Sequence, residues 1–328
     1  MEFNERTPLE QGFAPIFQAE VRPALMSLEG ERLALLAKAK RYGTIVLGIA
    51  LVIAGAIVLK FGATIGPIIG AVFVGIIGLV GMGIARSMQA SKWSGSVVGA
   101  VMPAVCAHVG ELRYDSSASG GFPLDRMRSL GIIGGYDNST LSDRMEGRHR
   151  DTEFELVEAK LTKKSQDSDG DTQTSTVFDG LLFNIGVPVA VPTPILITRD
   201  YGKVANKLGS MFSGKKGRGM PRVEVPHEAF EAVFEVHAEN PEAARSFLPP
   251  AFLDNLLAIG EQEGGNKGTK AMVAGFADQS FYLALSRSGD FMAMGSLSTP
   301  VADMEDDLHA VFADIEMVHR VIDRLHGV

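Results

Sequence analysis

Two uncharged apolar runs dominate the hydropathy pattern. Tyr42 to Leu59 (YGTIVLGIALVIAGAIVL) holds 18 residues without a charge, Phe61 to Ala85 (FGATIGPIIGAVFVGIIGLVGMGIA) holds 25 more, and Lys60 alone separates them. A helix rises about 1.5 Å per residue and needs roughly 20 apolar residues to cross about 30 Å of hydrocarbon. Each run is therefore long enough to span a bilayer, and residues 42–85 read as a transmembrane helical hairpin. The competing reading is a hairpin buried in a soluble core. A cleaved signal begins near the N-terminus, whereas 41 residues with six basic and six acidic side chains precede the first run. The first run reads as an anchor that stays.

The flanking patterns are different. Phe13, Ile16, Phe17, Val21, Ala24, Leu25, Leu28, Leu35 and Leu36 recur mostly at three- and four-residue spacing. That predicts an amphipathic helix within residues 1–41, interrupted near Pro23 and Gly30. After the second run, Trp93 stands where an interfacial aromatic sits, and a juxtamembrane helix is expected in 86–112, weakened by Pro103. From 113 to 328 the pattern is mixed. SASGGFPLDRMRSLGIIGGYD is rich in turns around a short helix, and strand-forming sequence begins at Thr152. PTPILITRD, RVEV and AVFEVHA read as strands, and Ala271 to Met294 as a meander turning near Asp278 and Gly289. Asn240-Pro241 opens a helix with an N-cap and a first-position proline. PPAFLDNLLAIGEQ starts another. The chain closes on an amphipathic helix with the stripe Leu308, Val311, Phe312, Ile315, Val318, Ile322 and Leu325. The expected fold class is α+β: an N-terminal amphipathic helix, a two-helix transmembrane hairpin, and a cytoplasmic antiparallel-sheet domain with flanking helices and a C-terminal amphipathic helix.

Within LTKKSQDSDGDTQTSTVFDG, Asp167, Asp169 and Asp171 alternate as in a calcium loop. An EF-hand loop needs glycine at its sixth position and glutamate at its twelfth; counted from Asp167, those positions hold Thr172 and Phe178. Asp169-Gly170 instead suits a two-residue hairpin turn. Folding there sets Ser168 opposite Asp171, Lys160 opposite Asp179, Leu156 opposite Phe183 and Phe154 opposite Ile185. Opposed charges and apolar pairs fall together, as cross-strand pairing favours.

Charge placement gives orientation. Arg32, Lys38, Lys40 and Arg41 precede the first run, Arg86 and Lys92 follow the second, and Lys60 stands alone between them. Under the positive-inside rule both termini are cytoplasmic, and Lys60, Gly62 and Thr64 form a short external turn. Residues 86–328 hold 24 basic and 33 acidic side chains, a net of minus nine, which argues against nucleic acid as a partner. The single cysteine, Cys106, excludes an intramolecular disulfide framework and suits a reducing compartment. Apolar residues are 46% and aromatics 7% of the chain, a bias that follows from the two runs.

In the second run Gly66 and Gly70, Ala71 and Gly75, and Gly81 and Ala85 repeat a small-xxx-small spacing. Lipid gives helices little hydrophobic reason to associate, so small residues that admit close backbone approach supply the packing. This face is expected to meet the first helix or a second copy of the chain.

Several motifs fail at a residue the chemistry needs. GSMFSGKK, Gly209 to Lys216, resembles a phosphate-binding loop, but Lys216 stands where Ser or Thr should hold magnesium, and GRGMPR is no helix start. What is left is a basic loop, Lys215, Lys216, Arg218 and Arg222, either simply solvated or in contact with anionic lipid headgroups. Cys106 and His108 point to different sides of a helix. His227-Glu228 begins a zinc motif that Glu231 breaks, and Glu316 with His319 suits a solvated face. No catalytic, cofactor or metal residue is assigned.

The segments SDRMEGRHRDTEFELVEAKL, VFDGLLFNIGVPV and FEAVFEVHAENPEAARSFLPPAFLDNLLAI resemble the bacterial family of two-pass membrane proteins catalogued as domain of unknown function 3137. The resemblance covers most of the chain and brings no catalytic residue to carry over. It implies the bacterial inner membrane as location and a LemA-like membrane protein as a partner. The function expected is a membrane-anchored scaffold or regulatory module that contacts lipid and protein. The competing expectation is a membrane-bound, hydrolase-type enzyme whose site is assembled from residues distant in sequence.

Overall fold

A computed structural model describes residues 2–62, 64–166, 171–199, 219–263, 272–287, 289 and 291–327. They form two compact units, one of Met1–His108 with Ala293–Phe312, the other of Val109–Met292 with Ala313–Val328.

The first unit is built on two long antiparallel helices. Residues Phe13–Phe61 run as one helical rod: α1 (Phe13–Ile16), a π-turn over Phe17–Val21, and α2 (Arg22–Phe61). Gly62, with φ +81°, ends the rod, and α3 (Ile65–Val109) returns. At 40 and 45 residues, α2 and α3 are about 60 and 68 Å long. The expected interruption at Pro23 takes the form of the π-turn: Arg22 N–H reaches back to Phe17 O, the wider spacing that accommodates a proline lacking its own N–H. Gly30 causes no interruption, because α2 runs straight through it. Pro103 lies inside α3 without ending it, so residues 86–109 continue the apolar helix as one rod.

Below the apolar halves, the two helices are covered by the rest of this unit. Trp93 is fully buried, which corrects its reading as an interfacial aromatic. Its ring lies where Gly295, at φ +78°, leaves no room for a Cβ. Arg32 is also buried; its guanidinium grips Glu29 at 2.6 and 2.8 Å and donates to Leu297 O at 2.7 Å. Glu29 in turn accepts from Val301 N–H. Phe3, Phe13, Phe17, Phe312, His108 and His309 form an aromatic cluster at ring separations of 4.6 to 6.0 Å. The amphipathic stripe of α8 (Glu305–His326) is buried from Leu308 through Ile322, as its periodicity predicts.

The second unit is an antiparallel sheet in the order β1-β2-β3-β4-β9-β8-β5-β7-β6. Its strands are β1 Leu112–Asp115, β2 Asn138–His149, β3 Thr152–Gln166, β4 Thr172–Gly186, β5 Ile195–Arg199, β6 Arg222–Val223, β7 Phe234–Ala238, β8 Met272–Ala277 and β9 Ser280–Ser286. The pairs Lys160–Asp179, Leu156–Phe183 and Phe154–Ile185 stand as the pattern predicts. Nearer the tip the register moves by one at Leu161/Thr162, so Gln166 faces Thr172. Val177 is the extra residue, and this bulge lets Val177 and its neighbour Phe178 both enter the core. The Asp169-Gly170 turn itself, with Asp167 and Ser168, lies outside the described residues.

One sheet face carries Val157, Ala159, Leu161, Leu182, Tyr282 and Ala284, packed with Leu124, Met127 and Leu130 of α4 (Leu124–Leu130) and with Ile132 and Ile133. Gly275 has no room for a Cβ because the Ile195 carbonyl oxygen would lie 2.7 Å from it, with Ile132 next at 3.1 Å. The other face buries Phe154, Leu156, Phe183, Ile185, Phe281 and Leu283. There Phe247 of α6 (Pro241–Phe247) and Phe252 of α7 (Pro250–Glu263) meet Phe276 at 5.3 and 5.6 Å. Asn240 caps α6 through Ala243 N–H, as expected.

Two expectations need correction. Residues 138–149 form a strand although strand sequence was expected only from Thr152, because β2 buries little beyond Met145 and so shows no alternation. The meander from Ala271 to Met294 is a single hairpin, β8–β9, with no third strand among the described residues beyond Ser286. RVEV likewise pairs only at Arg222 and Val223.

Candidate functional site: the apolar helix pair and its polar flanks

The middle of α2 and α3 presents an unusual surface. Leu51, Val52, Leu59, Ile65 and Ile69 are exposed at 60, 73, 88, 79 and 63%, and Phe73, Ile76, Ile77, Val80 and Ile84 are all more than half exposed. In each helix only 6% of the most apolar window is buried. A core helix hides its apolar face; these helices are apolar all round and hide a narrow seam.

That seam is made of small residues. Gly78 lies so close to Ala50 that no Cβ fits, and a Cβ on Gly81 or Gly43 would meet Val46 or Met82 at 2.9 Å. Gly70 faces Ile57 more loosely, at 4.0 Å, Ala71 and Ala85 are half-buried, and Gly66 and Gly75 have nothing within 4 Å. The sequence motif thus contains part of the seam. Gly43 and Gly78, outside the motif, complete it because the antiparallel partner decides which small residues meet.

The basic loop is described only at Arg222, whose guanidinium engages Glu231 at 2.9 Å and Glu235 at 3.8 Å; Lys215, Lys216 and Arg218 lie outside the described residues. Cys106 is half-buried, and burial pushes its thiol up to about 11. His108 Nε2 donates to Leu9 O at 3.0 Å and its ring packs on Phe13. Cys106 and His108 thus have separate structural surroundings. His227 caps α5 (Glu228–Glu231) by accepting Phe230 N–H at Nδ1, and its Nε2 donates to Asp254. Glu231, where a zinc motif needs histidine, accepts Val225 N–H.

Glu316 and His319 differ from the solvated face expected of them: both are half-buried. His319 stacks on His149, with centroids 3.9 Å apart and planes 5° apart. His149 Nε2 donates to Asp323 at 2.8 Å, a grouping across 174 residues that no local motif signals. Across the sheet, Arg144 Nε lies 2.8 Å from Glu155, whose carboxyl is pushed up by burial against the pull of that guanidinium. Among the described residues no three His, Cys, Asp or Glu are grouped to hold a metal ion.

No curated protein matches the chain. The solved structure of the mycobacterial trehalose monomycolate transport factor A, TtfA, aligns over 65% of this chain and 88% of its own, at 10% identity and a TM-score of 0.30. The described fold is mixed helix and antiparallel sheet, and residues 176–326, from within β4 to the end of α8, match a family model. That family is described as Protein of unknown function (DUF3137), and this stretch of the chain is similar to it.

Proposed function

We propose that this chain is a membrane-anchored scaffold or regulatory module, held by α2 and α3 as a two-pass hairpin, with the sheet unit on the cytoplasmic side. The observation that carries the reading is the contrast along the same two helices: Leu51, Val52, Leu59, Ile65 and Ile69 stand open, while Arg32, Leu35, Trp93 and Val97 are covered by their own chain. Apolar side chains exposed over about 30 Å need a lipid partner. The basic flanks at Lys38, Lys40, Arg41 and Arg86 set both termini inside. Lys215, Lys216 and Arg218 contribute attraction to anionic headgroups, whereas Arg222 is already engaged by Glu231 and Glu235. The sheet unit then offers its surfaces to a membrane or cytoplasmic protein.

The test is topology and partnership together. In intact cells, a Lys60→Cys variant reacts with an impermeant maleimide from outside, and cysteines placed near either terminus do not. Affinity purification from native membranes recovers a stoichiometric protein partner. External labelling of the sheet unit overturns the topology. A protein recovered alone that hydrolyses a small molecule overturns the module in favour of an enzyme.

A further inference from the structure

Within the second unit, the end of α8 meets the β2–β3 turn, in addition to burying Val321 and Ile322 and pairing Arg320 with Glu263 of α7. Arg150 and Asp151, at φ 48° and 60°, link His149 to Thr152 as a two-residue hairpin loop between β2 and β3. From this loop His149 Nε2 and Arg150 Nε both donate to Asp323 Oδ1, and Thr152 Oγ1 lies 2.6 Å from His326 Nε2. One helical turn before Asp323, His319 lays its ring flat on that of His149. Asp323 is the carboxylate that faces His149, and Arg150 adds a cation beside it. On the helix, Glu316 precedes His319 by one turn. The neighbouring Arg148 and Arg320 are occupied by Glu153 and by Glu263 of α7.

We infer that the His149–His319 stack is an acid-operated latch on the C-terminal end of α8. While the helix end is docked, the His319 ring lies flat on that of His149 with no carboxylate of its own in hydrogen-bond contact among the described residues. A proton on His319 sets a cationic ring face against its neighbour close to Arg150, and the helix end leaves the β2–β3 turn.

The electrostatics agree with the geometry. Burial pushes His319 down to about 4, the neighbouring His149 adds to this, and Asp323 opposes it. Burial alone would raise the Asp323 carboxyl, but hydrogen bonds from His149 and Arg150 hold it below the usual carboxylate range, so it stays charged. Once released, His319 recovers its ordinary value of 6.5. The released state therefore binds more protons than the docked state between those values. Docking is at full strength above about pH 6.5 and weakens as pH falls toward about 4.

The test uses the full chain in lipid nanodiscs, with amide hydrogen exchange measured at about pH 7.5 and about pH 5 and corrected for intrinsic pH dependence. Protection of residues 316–326 falls at least about tenfold at the lower pH, while that of β3 and β4 is held. His319→Phe keeps a ring on His149 without a titrating group, and its protection changes less than about threefold. His319→Gln serves as a second non-titrating variant where Phe disturbs folding. Wild-type protection that persists at the lower pH overturns the latch. So does an equal loss of protection in both variants.

Discussion

The Glu10 carboxylate and the His309 imidazole meet at 2.7 Å, with side chains only 1 and 9% exposed, although 299 residues separate them. Glu10 also accepts Arg6 N–H and Thr7 N–H, closing a capping box, and the His309 ring stacks on Phe3. Glu10→Ala strands all three donors, so it is expected to cost about 3–5 kcal/mol in thermal unfolding of the full chain in detergent. His309→Phe keeps the stacking and leaves Glu10 its two amides, with a loss of about 1–3 kcal/mol. Equal losses for the two variants would count against this ordering.

The seam between α2 and α3 predicts a contrast between two glycines. At Gly78 an added side chain runs into Ala50, whereas Gly83 has open space. Gly78→Leu therefore costs about 1–3 kcal/mol in detergent-solubilised protein, as overpacking does, and Gly83→Leu stays close to wild type. A similar loss at both positions would show that the seam is not where the helices meet.

Arg32 predicts that charge alone is insufficient. Its fork holds both Glu29 oxygens and Leu297 O, a geometry lysine cannot reproduce. Arg32→Lys is expected to lose about 1.5–3 kcal/mol and to raise hydrogen exchange at Val301, whose N–H depends on Glu29. Unchanged exchange there would mean the guanidinium does not hold this segment.

Cys106 should react slowly. With its thiol pushed from 9.0 up to about 11 by burial, the thiolate fraction near neutral pH is about 100-fold below that of the unfolded chain, and alkylation slows accordingly. The rate rises as pH climbs toward 11. Rapid maleimide labelling of the native protein at neutral pH would contradict this; slow labelling also leaves Lys60→Cys readable in the topology experiment.

The sequence by itself determined whatever depends on local period and local chemistry. The two uncharged runs are legible because a charge missing over 18 and 25 residues is a one-dimensional fact. The β3–β4 register follows from the pairing of Lys160 with Asp179 and Leu156 with Phe183 across a short turn, the α6 cap from Asn240-Pro241, and α8 from its apolar stripe. Tertiary structure alone decided the rest. β2 is a strand because β1 and β3 pair with it on both sides, although its own residues do not alternate. Trp93 is buried because Gly295 arrives from 202 residues further along the chain. Gly78 rather than Gly75 forms the tight seam because Ala50 stands opposite. His149 and His319 become one group only when the β2–β3 turn reaches the end of α8. In each case the deciding partner is distant in sequence, and a contact between distant residues leaves no period in either segment for a reader of the sequence to find.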